Sequence, residues 1–169
     1  MLPLILCLLV LLLDQVTKIW VRNTFVCGGE PLAIIPGFFN LVYVRNPGAA
    51  WGMLGGQQAI LILLSIVVFI LLVVYHRRVL QPALDHRIAY GLMLGGILGN
   101  LIDRIKLSWV TDFLDFHIGT HHFPSFNIAD SAICVAVGLY LLSSLWHKNH
   151  PLKDDREPDE AQRAIGQNE

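Results

Sequence analysis

FNIADSAICVAVGLYLLSSLW, residues 126 to 146, is apolar for long enough to cross a bilayer, yet it opens with Asn127 and Asp130. A carboxylate in mid-hydrocarbon costs on the order of 3 kcal/mol by insertion scales, so it persists where water or a partner relieves it. Such a residue is a functional candidate by default. Working outward, three more apolar runs appear: Leu2 to Leu13 continuing to about Val21, Ala59 to Tyr75, and Ile88 to about Ile105. Each approaches the roughly 20 residues of a spanning helix. The fold class expected is an all-α membrane protein with four transmembrane helices. Met1 to Leu6 carries no Lys or Arg and no small-residue cleavage motif follows the run. The first segment therefore reads as a retained helix rather than a signal peptide.

Composition agrees. The 169 residues suffice for one domain, but 54% are hydrophobic and only 15% charged, and mean hydropathy is +0.57. That is more apolar surface than a soluble core needs. A net charge of -1, with no basic stripe or nucleic-acid motif, makes nucleic acid an unexpected partner. Cys7, Cys27 and Cys134 are odd in number and lack CxxC spacing. They read as buried or idle thiols, not as disulfides or zinc ligands.

Orientation follows from Lys and Arg in short loops. The link HRRVLQPALDHR holds Arg77, Arg78 and Arg87, and Lys148, Lys153, Arg156 and Arg163 follow the fourth run. Both regions, and hence both termini, are expected in the cytoplasm. The bias is imperfect, because Lys18, Arg22, Arg45, Arg104 and Lys106 lie at the opposite ends. Residues 1–150 form the expected membrane domain. The tail 151–169 is polar and mostly acidic, with little to bury, and is expected to be disordered.

Segments 22–58 and 106–127 are then periplasmic and too long for tight turns. FFNLVYV, Phe38 to Val44, is aromatic and β-branched between Pro36-Gly37 and Asn46-Pro47-Gly48, the pattern of a strand in a small extramembrane cap. In the third run, Gly91, Gly95 and Gly99, with Gly96 beside them, give small-xxx-small spacing that lets another helix approach closely. Their expected role is packing.

Polar residues collect at one end of the spans. Asn100, Asp103 and Arg104 stand at i, i+3 and i+4, on one helix face. Asn127 and Asp130 open the fourth run, and Asp14 with Lys18 form an i, i+4 pair late in the first. The connecting loop TDFLDFHIG adds Asp112 and Asp115. Any two of these carboxylates meeting within hydrogen-bond range would repel, so that one pKa rises and the pair shares a proton near neutrality. Such a pair acts as base and acid together: one carboxylate takes a proton from attacking water, the other stabilises the oxyanion and protonates the leaving nitrogen. Asn46, Asn100, Arg104 and Asn127 are candidate donors for a substrate backbone.

Plainer readings stand beside this one. Asp14 and Lys18 can neutralise each other as an ion pair and serve position alone. His117, His121 and His122 lie near Asp112 and Asp115 but match no zinc spacing, so a solvated surface is expected and no metal or cofactor. A serine elbow is lacking. A transporter would spread polar residues through the span centres or show repeat symmetry, and a scaffold would not need polar groups converging at one depth.

DQVTK (14–18), RNPGAAWG (45–52), GGILGNLIDR (95–104), VTDFLDF (110–116) and FNIADS (126–131), in this order from the first span to the fourth, resemble the motifs of the bacterial lipoprotein signal peptidase family, signal peptidase II. The resemblance implies a four-helix inner-membrane aspartyl peptidase with a small periplasmic β cradle. Its members release signal peptides from diacylglyceryl-modified prolipoproteins just before the lipidated cysteine. By this resemblance Asp112 and Asp130 are the catalytic dyad, a choice over Asp115 that spacing does not make. Asn46, Gly48, Asn100, Arg104 and Asn127 are placed around the substrate, with Asp14, Lys18 and Asp103 supporting the site. The sequence departs from the family pattern at Pro47 and at Trp51-Gly52, where Phe-Ser is more usual. Membrane lipid is an expected partner and the chain an expected monomer.

Overall fold

The structure is a computed structural model, and it describes residues 1–49, 53–76 and 83–149, with side chains to residue 146. Arg77, Arg78, Trp51-Gly52 and the tail 151–169 lie outside the described residues. The chain runs α1 (Leu2–Thr24), β1 (Leu32–Ile35), β2 (Phe39–Asn46), α2 (Gln58–Val74), α3 (Leu84–Leu107), β3 (Val110–Ile118), β4 (His121–His122) and α4 (Ile128–Asn149).

The helices are inside-out by soluble-protein standards. On α1, Leu12 and Leu13 are more than half exposed while Asp14 and Lys18 are fully buried. Apolar residues outward and polar residues inward is the arrangement that suits lipid as the outer solvent. α1, α3 and the first 19 residues of α4 are long and apolar enough to cross a membrane; α2, also apolar, has 17 residues. At 1.5 Å per residue α2 is about 25 Å long, somewhat less than the roughly 30 Å hydrocarbon core.

α3 lies at the centre, against α1, α2 and α4. Glycines make the approach possible. A Cβ built at Gly91, Gly95 or Gly99 would lie 2.5–2.8 Å from atoms of α1, and one at Gly96 would lie 2.5 Å from the carbonyl oxygen of Ala129 on α4. The stripe at i, i+4 and i+8 thus faces α1, and the glycine beside it faces α4. Tyr90 ties α2 to α3 by donating to the Leu72 carbonyl at 3.1 Å.

At one end of the bundle the four strands form an antiparallel sheet in the order β1-β2-β3-β4. The expected strand 38–44 is present as Phe39–Asn46. The expected loop TDFLDFHIG is instead the strand β3, its apolar Phe113, Leu114 and Phe116 interleaved with the two aspartates. Val21, Tyr43 and Phe113 form a buried cluster, with Phe25, Leu41, Leu114 and Ile128 packed around it, fastening the sheet to the ends of α1 and α4. The chain entering α4 is pinned to β3 as well: Phe113 and Leu114 N–H donate to the Phe126 carbonyl at 2.9 Å, and Phe126 N–H donates back to Leu114 at 3.1 Å.

Candidate active site

That last contact decides the site. By fixing Phe126 to β3, it sets the first turn of α4 beside the middle of the strand. Asn127 caps the helix: its Oδ1 accepts the Asp130 N–H at 3.0 Å, and Asp130 Oδ2 accepts the Asn127 N–H at 3.3 Å. This is a reciprocal capping box, with Asp at the position where Glu is more common. The same Asn127 turns its amide to β3 and donates to Asp112 Oδ1 at 2.7 Å. One side chain therefore holds both aspartates.

β3 separates Asp112 from Asp115. Strand side chains alternate between faces, so residues three apart point opposite ways. Asp112 faces the N-terminus of α4 and the cavity, and accepts from Asn127 and, at 2.9 Å, from Asn46 Nδ2 on the neighbouring strand. Asp115 faces away, where Asn40 donates to it at 2.9 Å and His122 Nδ1 lies 2.9 Å from Oδ1. His117 and His122 stack with ring centroids 4.8 Å apart. Among the described residues no three His, Cys, Asp or Glu side chains converge as metal ligands would.

Behind the aspartates lies a polar layer shared by three helices. Asn100 donates to Asp130 Oδ1 at 2.7 Å and accepts from Lys18 Nζ at 2.9 Å. Lys18 lies 2.9 Å from Asp14 and 3.6 Å from Asp103. The expected i, i+4 pair is thus part of a larger network. Asp14 also accepts the backbone N–H of Ala129 at 3.0 Å, satisfying a first-turn donor of α4 from another helix. Asp103 accepts the Thr111 N–H at 3.0 Å, next to Asp112. Arg104 leaves this layer and reaches the Gly48 carbonyl at 3.4 Å. Gly48 N–H in turn donates to Asn46 Oδ1 at 2.9 Å. Pro47 sits inside that side-chain turn, where no N–H is needed from it.

Asp112 and Asp130 open onto one cavity of about 720 Å³, walled by apolar groups such as Val44, Phe123, Phe126 and Ile133, with Asn46 and Arg104 among its polar residues. Asp112 is buried and Asp130 partly exposed. Burial, and secondly the Asp130 charge, raise Asp112 from 3.8 to about 7, against the Asn46 and Asn127 hydrogen bonds that lower it. Arg104 Nε is buried with no hydrogen-bond partner among the described residues. The cavity therefore offers a carboxyl that titrates near neutrality, a second carboxylate and an unsatisfied donor, all beside apolar walls.

All ten expected site residues lie in or directly behind this cavity. Arg22, Thr111 and Gln15 join them without having been expected. Arg22 lies 3.6 Å from Asp103 and donates to Thr111 Oγ1 at 3.0 Å; Gln15 bridges Asp14 and the Gly99 carbonyl at 3.1 and 3.2 Å. Arg22 extends the Asp14, Lys18 series by four residues along one face of α1, a signal available in the spacing. Nothing in the spacing marks Thr111 or Gln15.

The family model described as signal peptidase (SPase) II matches residues 6–146. A lipoprotein signal peptidase of Shewanella loihica is 46% identical over 151 residues, covering 87% of this chain and 88% of its own. One from Maridesulfovibrio salexigens is 42% identical over 144 residues, covering 82% and 90%. A bacterial membrane enzyme solved by the in meso method at 2.3 Å resolution superposes with a TM-score of 0.82 at 34% identity, covering 92% of this chain and 94% of that one. A second, at 1.9 Å, gives 0.76 at 37%, with 85% and 92% covered. With the family model matched over residues 6–146 and these relatives and structures matched over most of their length, the protein belongs to the signal peptidase II family of membrane proteases.

Proposed function

We propose that this protease is an aspartyl endopeptidase that cuts diacylglyceryl-modified prolipoproteins just before the lipidated cysteine, with Asp112 and Asp130 as its catalytic pair. The observation that carries the reading is their joint opening onto one apolar-walled cavity while Asn127 holds both. Asp112, raised to about 7, carries the shared proton; Asp130 is the base. Water attacks the scissile carbonyl carbon and gives its proton to Asp130, while Asp112 donates to the forming oxyanion. On collapse the C–N bond breaks and the leaving nitrogen takes a proton from the pair. Arg104 and Asn46 align the substrate backbone. No metal or covalent intermediate is required. The apolar walls suit the acyl chains of the substrate.

The unit that performs this reaction is residues 1–150, a monomer with four spans, in the bacterial inner membrane. Both termini are cytoplasmic and the cavity lies near the periplasmic face, where water and the exported chain are available. The cationic link and C-terminal region support this orientation. Asp112→Asn and Asp130→Asn, purified and folded, should each abolish cleavage of a lipidated precursor, because neither leaves a matched acid and base. Asp115→Asn, on the other face of β3, should retain substantial activity. Cleavage by Asp130→Asn at the parental rate, or an essential Asp115 beside a dispensable Asp112, would refute the assignment.

A further inference from the structure

Arg45 is a cation that the catalytic scheme leaves unused. It is exposed on β2 and borders the cavity, its side chain turned with Tyr43 to the face of the strand opposite Asn46. Its guanidinium carbon lies 4.7 Å from the Trp109 ring centroid and 5.6 Å from that of Tyr43, and its Nε donates to the Tyr43 hydroxyl at 3.1 Å. No carboxylate among the described residues pairs with it. Two rings and one hydrogen bond fix the plane of the guanidinium, yet its two terminal amino groups have no hydrogen-bond partner among the described residues. This is a fork already ordered for a planar or tetrahedral oxyanion. The indole N–H of Trp109 is buried and has no hydrogen-bond partner among the described residues.

Depth identifies the oxyanion. Trp109 lies two residues beyond Leu107, the last residue of α3, past the Ser108 cap, so it stands where a spanning helix meets water. Tyr, Trp and Arg gather at that level in membrane proteins. Lys106, exposed in the last turn of α3 and with no acidic partner among the described residues, adds charge at the same end. One exposed guanidinium holds a free anion weakly. A phospholipid, however, arrives with its chains already in the bilayer, which holds its phosphate at this depth. We propose that Arg45, held by Tyr43 and Trp109, binds the headgroup phosphate of a membrane phospholipid seated beside the cavity, its acyl chains remaining in the bilayer.

The test is native mass spectrometry of the full chain in detergent, titrated separately with dioleoyl phosphatidylglycerol, dioleoyl phosphatidylethanolamine and dioleoylglycerol. Both phospholipids should bind about tenfold more tightly than the phosphate-free diacylglycerol, the scale of a charge-assisted hydrogen bond. Arg45→Gln should bring them down to the diacylglycerol level, and Arg45→Lys, which keeps charge but not the fork, should give an intermediate loss. Millimolar inorganic phosphate should not displace them. Equal binding of all three lipids, unchanged phospholipid affinity in Arg45→Gln, or displacement by inorganic phosphate would each overturn the proposal. If Arg45→Gln does not fold, Arg45→Lys decides by the same comparison. The readout is binding, so failure here leaves the peptidase reading untouched.

Discussion

Gly96→Ala adds one methyl group whose nearest neighbours include no carboxylate and should nevertheless disable the enzyme. The new Cβ would stand 2.5 Å from the Ala129 carbonyl oxygen and 2.7 Å from Ile133 Cγ1, whereas real Cβ contacts are hardly ever under 3.0 Å and usually exceed 3.4 Å. The oxygen belongs to the first turn of α4, which cannot rotate away as a side chain would. α3 and α4 must therefore separate by about 0.5 to 0.9 Å at this level. Asn100, one turn further along α3, donates to Asp130 at 2.7 Å, and the same separation carries that bond to the edge of hydrogen-bonding range. Misplacement by about 1 Å costs on the order of 100-fold in rate, and overpacking of this kind about 1–3 kcal/mol in stability. Cleavage of a lipidated precursor, with thermal unfolding of the same preparation, measures both. Gly138→Ala on α4 is the control, since its Cβ meets nothing within 4 Å. Parental rate and unchanged unfolding temperature in Gly96→Ala would refute the claim that this close approach sets the site.

Three further outcomes follow from the same geometry. Because burial raises Asp112 from 3.8 to about 7, the folded protein holds a proton that the unfolded chain has released between those values; its contribution to stability is complete below about 4 and lost as pH rises through about 7. Activity that needs this proton should fall through the same upper limit, as read from a pH-rate profile, and Asp130→Asn should lower the Asp112 pKa only part of the way, since burial is the larger cause. Arg22→Ala removes the hydrogen bond to Thr111 and the Asp103 contact beside Asp112, and should cost about 1 kcal/mol of stability and lower kcat more than it raises KM, with partial rescue by Arg22→Lys. Chelation should leave cleavage intact, whereas loss restored by added zinc would bring His117, His121 and His122 into the site.

The parts of this molecule that were legible in the sequence are those governed by one local period. Long helices announce themselves as apolar runs of the right length, and Asn127 and Asp130 stood out as a polar pair opening such a run. The glycine stripe was legible for the same reason. Asp112 and Asp115 were not separable, because TDFLDFHIG read as a loop, where spacing carries no facing rule. As a strand, the identical spacing places the two aspartates on opposite faces. What made it a strand is pairing with Phe39–Asn46, some seventy residues earlier, and the bridge from Leu114 to Phe126. Contacts of that range leave no periodic trace in one chain.

Asn127 shows why the cap and the chemistry cannot be chosen independently. An Asp there would cap α4 as well as Asn does. It would also set an acceptor 2.7 Å from Asp112 Oδ1, where a donor now stands, and bring a third carboxylate against a pair that already repels. A Ser would cap too, but its single hydroxyl could not accept from the Asp130 N–H and donate to both Asp112 and Asn100, as the Asn127 amide does. Only a group with an acceptor at one end and two donors at the other meets helix, strand and neighbouring helix together. The opening of α4 therefore carries an amide between two demands that local sequence rules treat separately: one from the helix backbone, the other from a carboxyl on a strand that reaches it through the fold.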